Sequence, residues 1–234
     1  MQSCLLPFEI ISLIISYLDV SDSTLAPYAP VSRGWQACVE QRTFAKLNLN
    51  NPLQLMEFCQ IVVCNEERQK YIQEIQVIIQ LELYTIETHA HSKAAAVHSR
   101  NNQVFVQIMQ NVLRILAILP DNHQGIKLSI QAQSASYPVR GNGQIGLYRY
   151  TEPQRRFDRF YLEIPEESLK SLPPVMAVTT LVILGGIGLQ QRMRPSAIAV
   201  IASKMPRLQD IVLRLGETEK GDQELRKRNR NGKI

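Results

Sequence analysis

Three groups of residues in this chain have the types and spacing that chemistry uses. Gly141-Asn142-Gly143-Gln144-Ile145-Gly146 spells the glycine pattern of dinucleotide-binding turns. That pattern works only where a strand feeds into it and a helix begins within it, so that backbone N–H groups converge on a pyrophosphate. Here Tyr137-Pro138 intervenes before it, and Leu147 to Thr151 reads as extended up to Pro153, so a plain turn is the better account. His89, His91 and His98, with His123 further along, invite a metal-site reading. A pair at i, i+2 shares a face only on extended backbone, and Ser92 to Ala96 reads as loop or helix start. No Cys or acidic partner stands at a ligand spacing either, so solvated loop histidines and no metal are expected. Cys59 and Cys64 lie five apart on a predicted helix, where they cannot share a face closely, and are read as core thiols. With Cys4 and Cys38 they form neither a metal-ligand set nor a short disulfide framework, as free thiols in a reducing compartment would. No nucleophile elbow, lysine-bearing phosphate loop or His-Glu-x-x-His helix occurs. The residues predict neither catalysis nor a cofactor.

Binding chemistry remains. The segment from Ser134 to Arg156 is longer than most connections in compact domains and carries Tyr137, Arg140, Tyr148, Arg149, Tyr150, Arg155 and Arg156. Tyr and Arg are enriched at protein-protein hot spots, so these seven are the candidate substrate contacts. The formal charge of +5 is local: Arg226, Lys227, Arg228, Arg230 and Lys233 account for it and leave the rest formally neutral. A run of this kind at a chain end is read as a solvated tail and not as a nucleic-acid patch.

Among the predicted elements the first is the most unusual. Pro7 to Leu18 reads as a helix whose only polar positions are Glu9, Ser12 and Ser16, with proline tolerated in its first turn. Its apolar residues form two sets at helical spacing, Ile10/Leu13/Ile14/Tyr17 and Ile11/Ile15/Leu18. One set can serve a small local core. A unit of about 40 residues cannot bury both, so the other needs a cover from elsewhere. A signal peptide is excluded, because no Lys or Arg precedes the apolar run and Pro7 and Glu9 interrupt its start.

Leu6-Pro7-x-Glu9-Ile10 and Ile14-x-x-Tyr17-Leu18, followed by Leu25-Ala26-Pro27-Tyr28-Ala29-x-Val31-Ser32-Arg33-x-Trp35-Gln36 and on to Thr43-Phe44, resembles an F-box of the large fungal F-box family. The resemblance fixes residue types in order over the first fifth of the chain. It implies a three-helix unit that docks on the adaptor of a cullin-RING ubiquitin ligase and, through it, on cullin. The positions it carries over for adaptor binding are Leu6, Pro7, Ile10, Ile11, Ile14, Leu18, Val31 and Trp35. Gly34 departs from a good third helix, at a cost of about 1 kcal/mol relative to alanine, and predicts fraying there.

Beyond residue 45 an apolar pattern of the form x, x+3, x+5 recurs: Phe44/Leu47/Leu49, Ile72/Ile75/Val77, Phe157/Phe160/Leu162, Val178/Leu181/Ile183 and Leu208/Ile211/Leu213, with Ile126/Leu128/Ile130 alternating between. Each ends as a strand with one buried face should. Helices are expected between them: Leu53 to Cys64, a stretch through Val104, Phe105, Ile108, Met109, Val112 and Leu116 capped by Asn101 or Asn102 and stopped by Pro120, and Pro195 to Ala202. The fold class is therefore α/β, an N-terminal three-helix F-box followed by an irregular leucine-rich-repeat-like strand/helix solenoid. Its divisions are 1–45, the F-box; 46–216, the solenoid; and 217–234, the basic tail. An uncapped last strand would expose apolar surface. The expected function is that of a substrate receptor in the cytoplasm or nucleus that binds a protein substrate, with no membrane partner. The alternative is a protein-binding module acting outside ubiquitin transfer.

Overall fold

The computed structural model describes residues 6–18, 25–82, 91–121, 123–134, 161–185 and 192–215. Helix α1 (Phe8–Leu18) begins directly after Pro7, whose carbonyl accepts from Ile10 and Ile11 N–H at 3.1 Å each. A 3-10 turn (Ala26–Val31) leads into α2 (Arg33–Ala45), where the Ser32 hydroxyl accepts from Trp35 N–H at 3.3 Å. That bond satisfies one of the orphan donors of the first turn. Gly34 does not fray this helix. A Cβ at Gly34 would lie 3.2 Å from Ile11 Cδ1, so the missing side chain lets α1 approach.

Helix α2 runs without a break into β1 (Lys46–Leu49). The chain continues through α3 (Pro52–Phe58), extended by a π turn (Cys59–Val63), then α4 (Glu66–Tyr71) and β2 (Glu74–Leu81). Asn51 and Asn65 cap α3 and α4, accepting from Gln54 N–H at 2.9 Å and from Glu67 N–H at 3.1 Å. The long α5 (His91–Leu116), β3 (Ile126–Ser134), α6 (Glu166–Lys170), β4 (Val178–Gly185), α7 (Pro195–Ala202) and β5 (Asp210–Leu215) complete the order.

The fold is α/β around one five-stranded sheet, every pairing parallel and the strand order the same as the chain order. Leu47, Ile75, Leu128, Leu181 and Ile211 stand in one register row, and Leu49, Val77, Ile130, Ile183 and Leu213 in the next but one. The strand members of these rows in β2, β3 and β4 meet Phe105, Met109, Leu113 and Leu116 of α5, Leu169 of α6 and Ile198 and Ile201 of α7 in a single core. A separate small core holds Ile11, Ile15, Leu25, Cys38 and Val39.

Phe157/Phe160/Leu162 supplies no sheet strand between β3 and β4, which pair directly. Phe157 and Phe160 lie outside the described residues, while Leu162 makes an isolated bridge to Met193. Without it Ile75 to Leu128 and Leu128 to Leu181 are equal lengths of chain, while Leu47 to Ile75 and Leu181 to Ile211 are much shorter, so the repeat stays irregular. Asn101 and Asn102 are not caps, because α5 starts at His91 and takes in Ser92 to Ala96. Both reach sideways instead. Asn101 Oδ1 accepts from Glu82 N–H at 2.7 Å and its Nδ2 donates to Glu82 O at 3.1 Å, while Asn102 Oδ1 accepts from Glu163 N–H at 2.7 Å. Helix propensity alone placed them at a terminus, and neighbouring backbone outcompeted it.

Candidate functional site

The two apolar sets on α1 part company. Ile11 and Ile15 enter the small core, with Leu18 half-buried against it, whereas Ile10, Leu13 and Tyr17 face outward. Two positions one residue apart show the division: Leu13 is 53% exposed and Ile15 fully buried. Leu6, Pro7 and Phe8 at the helix start and Val31 at the end of the 3-10 turn are also exposed. The outcome is an apolar surface on a unit that already has a core of its own. Exposed apolar residues on one helix face mark interaction sites, where singly scattered ones mean little.

Of the eight positions carried over by resemblance, Leu6, Pro7, Ile10 and Val31 are exposed and Ile14 and Leu18 are half-buried. Ile11 is buried, so it builds the unit and cannot touch a partner without unfolding it. Trp35 is half-buried, its ring centroid 6.3 Å from that of Tyr28 at a tilt of 35°. Phe8, Leu13 and Tyr17 are exposed as well, although none is among the carried-over positions. The helical spacing of Ile10/Leu13/Ile14/Tyr17 is the signal that marks the last two.

A second surface is the sheet face away from the helices. In register order it carries Lys46, Glu74, Lys127, Thr180 and Asp210 in one row, then Asn48, Gln76, Ser129, Val182 and Val212, then Ile78, Gln131, Leu184 and Arg214. None of its apolar members, Ile78, Val182, Leu184 and Val212, belongs to the helix-side core. Lys127 Nζ and Glu74 Oε1 pair across strands at 2.8 Å. Asn48, Gln76 and Gln131 add amides that can donate and accept, while Ser129 and Val182 at the centre of the face are buried. On the opposite, helix-covered side, at the β1 end, a groove of about 230 Å³ opens between Leu55 of α3, Val77 of β2 and Val104 and Ile108 of α5, rimmed by Asn50, Asn51 and Gln80.

The seven Tyr and Arg candidates between 137 and 156, the glycine pattern 141–146, His89 and the tail 217–234 lie outside the described residues. His123 is not a solvated loop residue: it is buried, its Nε2 lies 2.9 Å from Gln69 O, and its Nδ1 accepts from Gly125 N–H at 3.2 Å. That pattern fixes the Nε2–H tautomer and uses both nitrogens structurally. His98 is half-buried on α5, where burial pushes its imidazole below the ordinary value against a smaller upward pull from Glu163. Cys59 is half-buried and Cys64 exposed, so neither is a core thiol. The i, i+5 bond from Cys64 N–H to Cys59 O at 3.2 Å shows that a π turn, not an α-helix, joins them. Burial first, then Cys64, raises the Cys59 thiol. Among the described residues no group of three His, Cys, Asp or Glu could hold a metal ion, and no helix is long and apolar enough to cross a membrane.

No family model, no curated protein and no solved structure matches this chain.

Proposed function

We propose that this chain is a substrate-receptor subunit of a cullin-RING ubiquitin ligase, its first 45 residues an F-box that docks on the adaptor. The sheet and its helices are read as an irregular leucine-rich-repeat solenoid that binds a protein substrate. One observation carries the reading: an N-terminal unit with a closed core of its own keeps Leu6, Ile10, Leu13 and Val31 exposed, on the segment whose residue order resembles an F-box. Burying three or four such side chains is worth about 1.5 to 3 kcal/mol each before association costs are subtracted, enough for a stable complex. The rest of the chain is fixed to this unit by the unbroken passage from α2 into β1. A substrate held on the sheet is thereby kept at a set distance from the docked adaptor, and transfer gains from effective concentration while other subunits supply the chemistry.

The test is co-purification of the full chain with the ligase adaptor. Ile10→Glu and Leu13→Glu each place a carboxylate in the contact and should abolish capture while leaving the circular dichroism and thermal transition of the chain unchanged. Wild-type capture by both variants would overturn the docking assignment.

A further inference from the structure

We infer that the β5 edge is a self-association surface, through which two copies of this chain join their sheets as an antiparallel pair centred on Val212. The inference is independent of the function proposed above. Strand β5 closes the sheet order, so among the described residues its outer edge has no partner. Ile211 and Leu213, whose register mates in β4 are buried in the core, are each 49% exposed, and Val212 on the opposite face is exposed as well. The other end of the sheet is built differently: β1 has only four residues, with Lys46 and Asn48 exposed. Shortness and charge are how edges avoid pairing, and β5 has neither over its three central positions.

The charges flanking that apolar centre select the occupant. A two-fold axis through Val212, perpendicular to the sheet, sets Asp210 opposite Arg214 of the second copy and Arg214 opposite its Asp210. The same axis sets Ile211 opposite Leu213 twice and Val212 opposite itself. Face parity is preserved: Asp210, Val212 and Arg214 share the open face, and Ile211 and Leu213 share the helix face. Every opposed pair is then apolar with apolar or acid with base, the self-complementarity an isologous interface requires. Neither Asp210 nor Arg214 forms a salt bridge with a described residue, so both charges are available. The joined sheet has ten strands with both open faces on one side.

Sedimentation velocity of the full chain over a concentration series tests this. The wild type should pass from monomer to dimer in the micromolar range. D210R and R214D each oppose two like-charged pairs and should weaken dimerisation by about ten-fold or more. Mixing the two single variants restores both attractive pairs in a heterodimer, and the double variant D210R/R214D restores them in a homodimer. Recovery of the dimer in the mixture and in the double variant is the expected result. A wild type that stays monomeric throughout, which would leave the edge to another segment or protein, overturns the inference. So do single variants that dimerise like the wild type, or a mixture that does not recover.

Discussion

Arg68 of α4 ties the N-terminal unit to the sheet through Glu40 of α2: its Nη2 donates to Glu40 Oε1 at 2.9 Å, its Nη1 donates to Ile61 O at 3.0 Å, and its guanidinium lies 5.1 Å from the Phe44 ring centroid. One side chain thus touches α2 twice and the π turn once. Both partners of the ion pair keep about a quarter or less of their side-chain surface exposed, so it is less screened than a surface pair. Glu40→Gln should lower the unfolding free energy at neutral pH by about 1 kcal/mol. Arg68→Ala should cost more, since the ring contact and the Ile61 bond go with it. Urea titration of each variant checks the order.

The same pair sets a pH dependence. The hydrogen bond from Arg68 holds the Glu40 carboxyl below the ordinary glutamate range, against a smaller opposing effect of burial. A depressed carboxyl contributes its full stability above the unfolded-state value and loses it as pH falls through the lower folded-state value. Acidification from neutral to below the ordinary glutamate range should therefore destabilise the wild type more steeply than Glu40→Gln, as thermal melts at each pH would read. Equal slopes would remove Glu40 from the account.

The division of α1 into inner and outer sets gives opposite mutational costs on neighbouring positions. Ile15→Ala empties a fully buried site in a small core and should cost about 2 to 5 kcal/mol, whereas Leu13→Ala should stay within about 0.5. The single tryptophan, Trp35, packs against this core and reports it selectively by fluorescence.

Gly125 is the one described residue with positive φ, at +119°, and a Cβ there would meet Thr179 Oγ1 at 2.6 Å and Cγ2 at 2.9 Å. Gly125→Ala therefore meets backbone strain and a clash together, and about 1 to 3 kcal/mol of stability should be lost. Adding Thr179→Gly should return only the steric part, so the double variant stays below wild type by urea titration.

Asn101 is buried and serves both the N–H and the C=O of Glu82. Asn101→Leu leaves the Glu82 N–H without its acceptor, while the Glu82 carbonyl keeps the Ser134 hydroxyl at 3.0 Å; the loss should be about 1 kcal/mol and should raise amide exchange at Glu82 before it affects the centre of the sheet. Unchanged exchange at Glu82 would contradict the role.

Much of this architecture can be read from residue spacing. Alternation located five strands, because a sheet with one helix-covered face must bury Leu128, Ile130 and their mates in β2 and β4 and can leave Lys127 and Gln131 less covered. The Pro195 helix was legible for a similar reason: proline suits a first turn and the next residues are small or apolar. The failures share another cause. Phe157, Phe160 and Leu162 have the spacing of a strand, but spacing cannot say whether a place in the sheet is vacant, and β3 and β4 had already joined. Asn101 and Asn102 look like caps because their competing partner, the backbone at Glu82 and Glu163, is remote in sequence. His123 looks solvated for the same reason, as Gln69 O is contributed by α4. At the docking surface the two helical sets on α1 were visible, but which one faced inward depended on Gly34 admitting Ile11.

Strand order that repeats chain order means that each layer leans only on the layers made just before and just after it. Assembly can then proceed as the polypeptide emerges, one plate laid on the last, with no strand waiting for a distant mate. Injury should stay local by the same logic, and a substitution that loosens β4 ought to leave the β1–β2 end protected in hydrogen exchange.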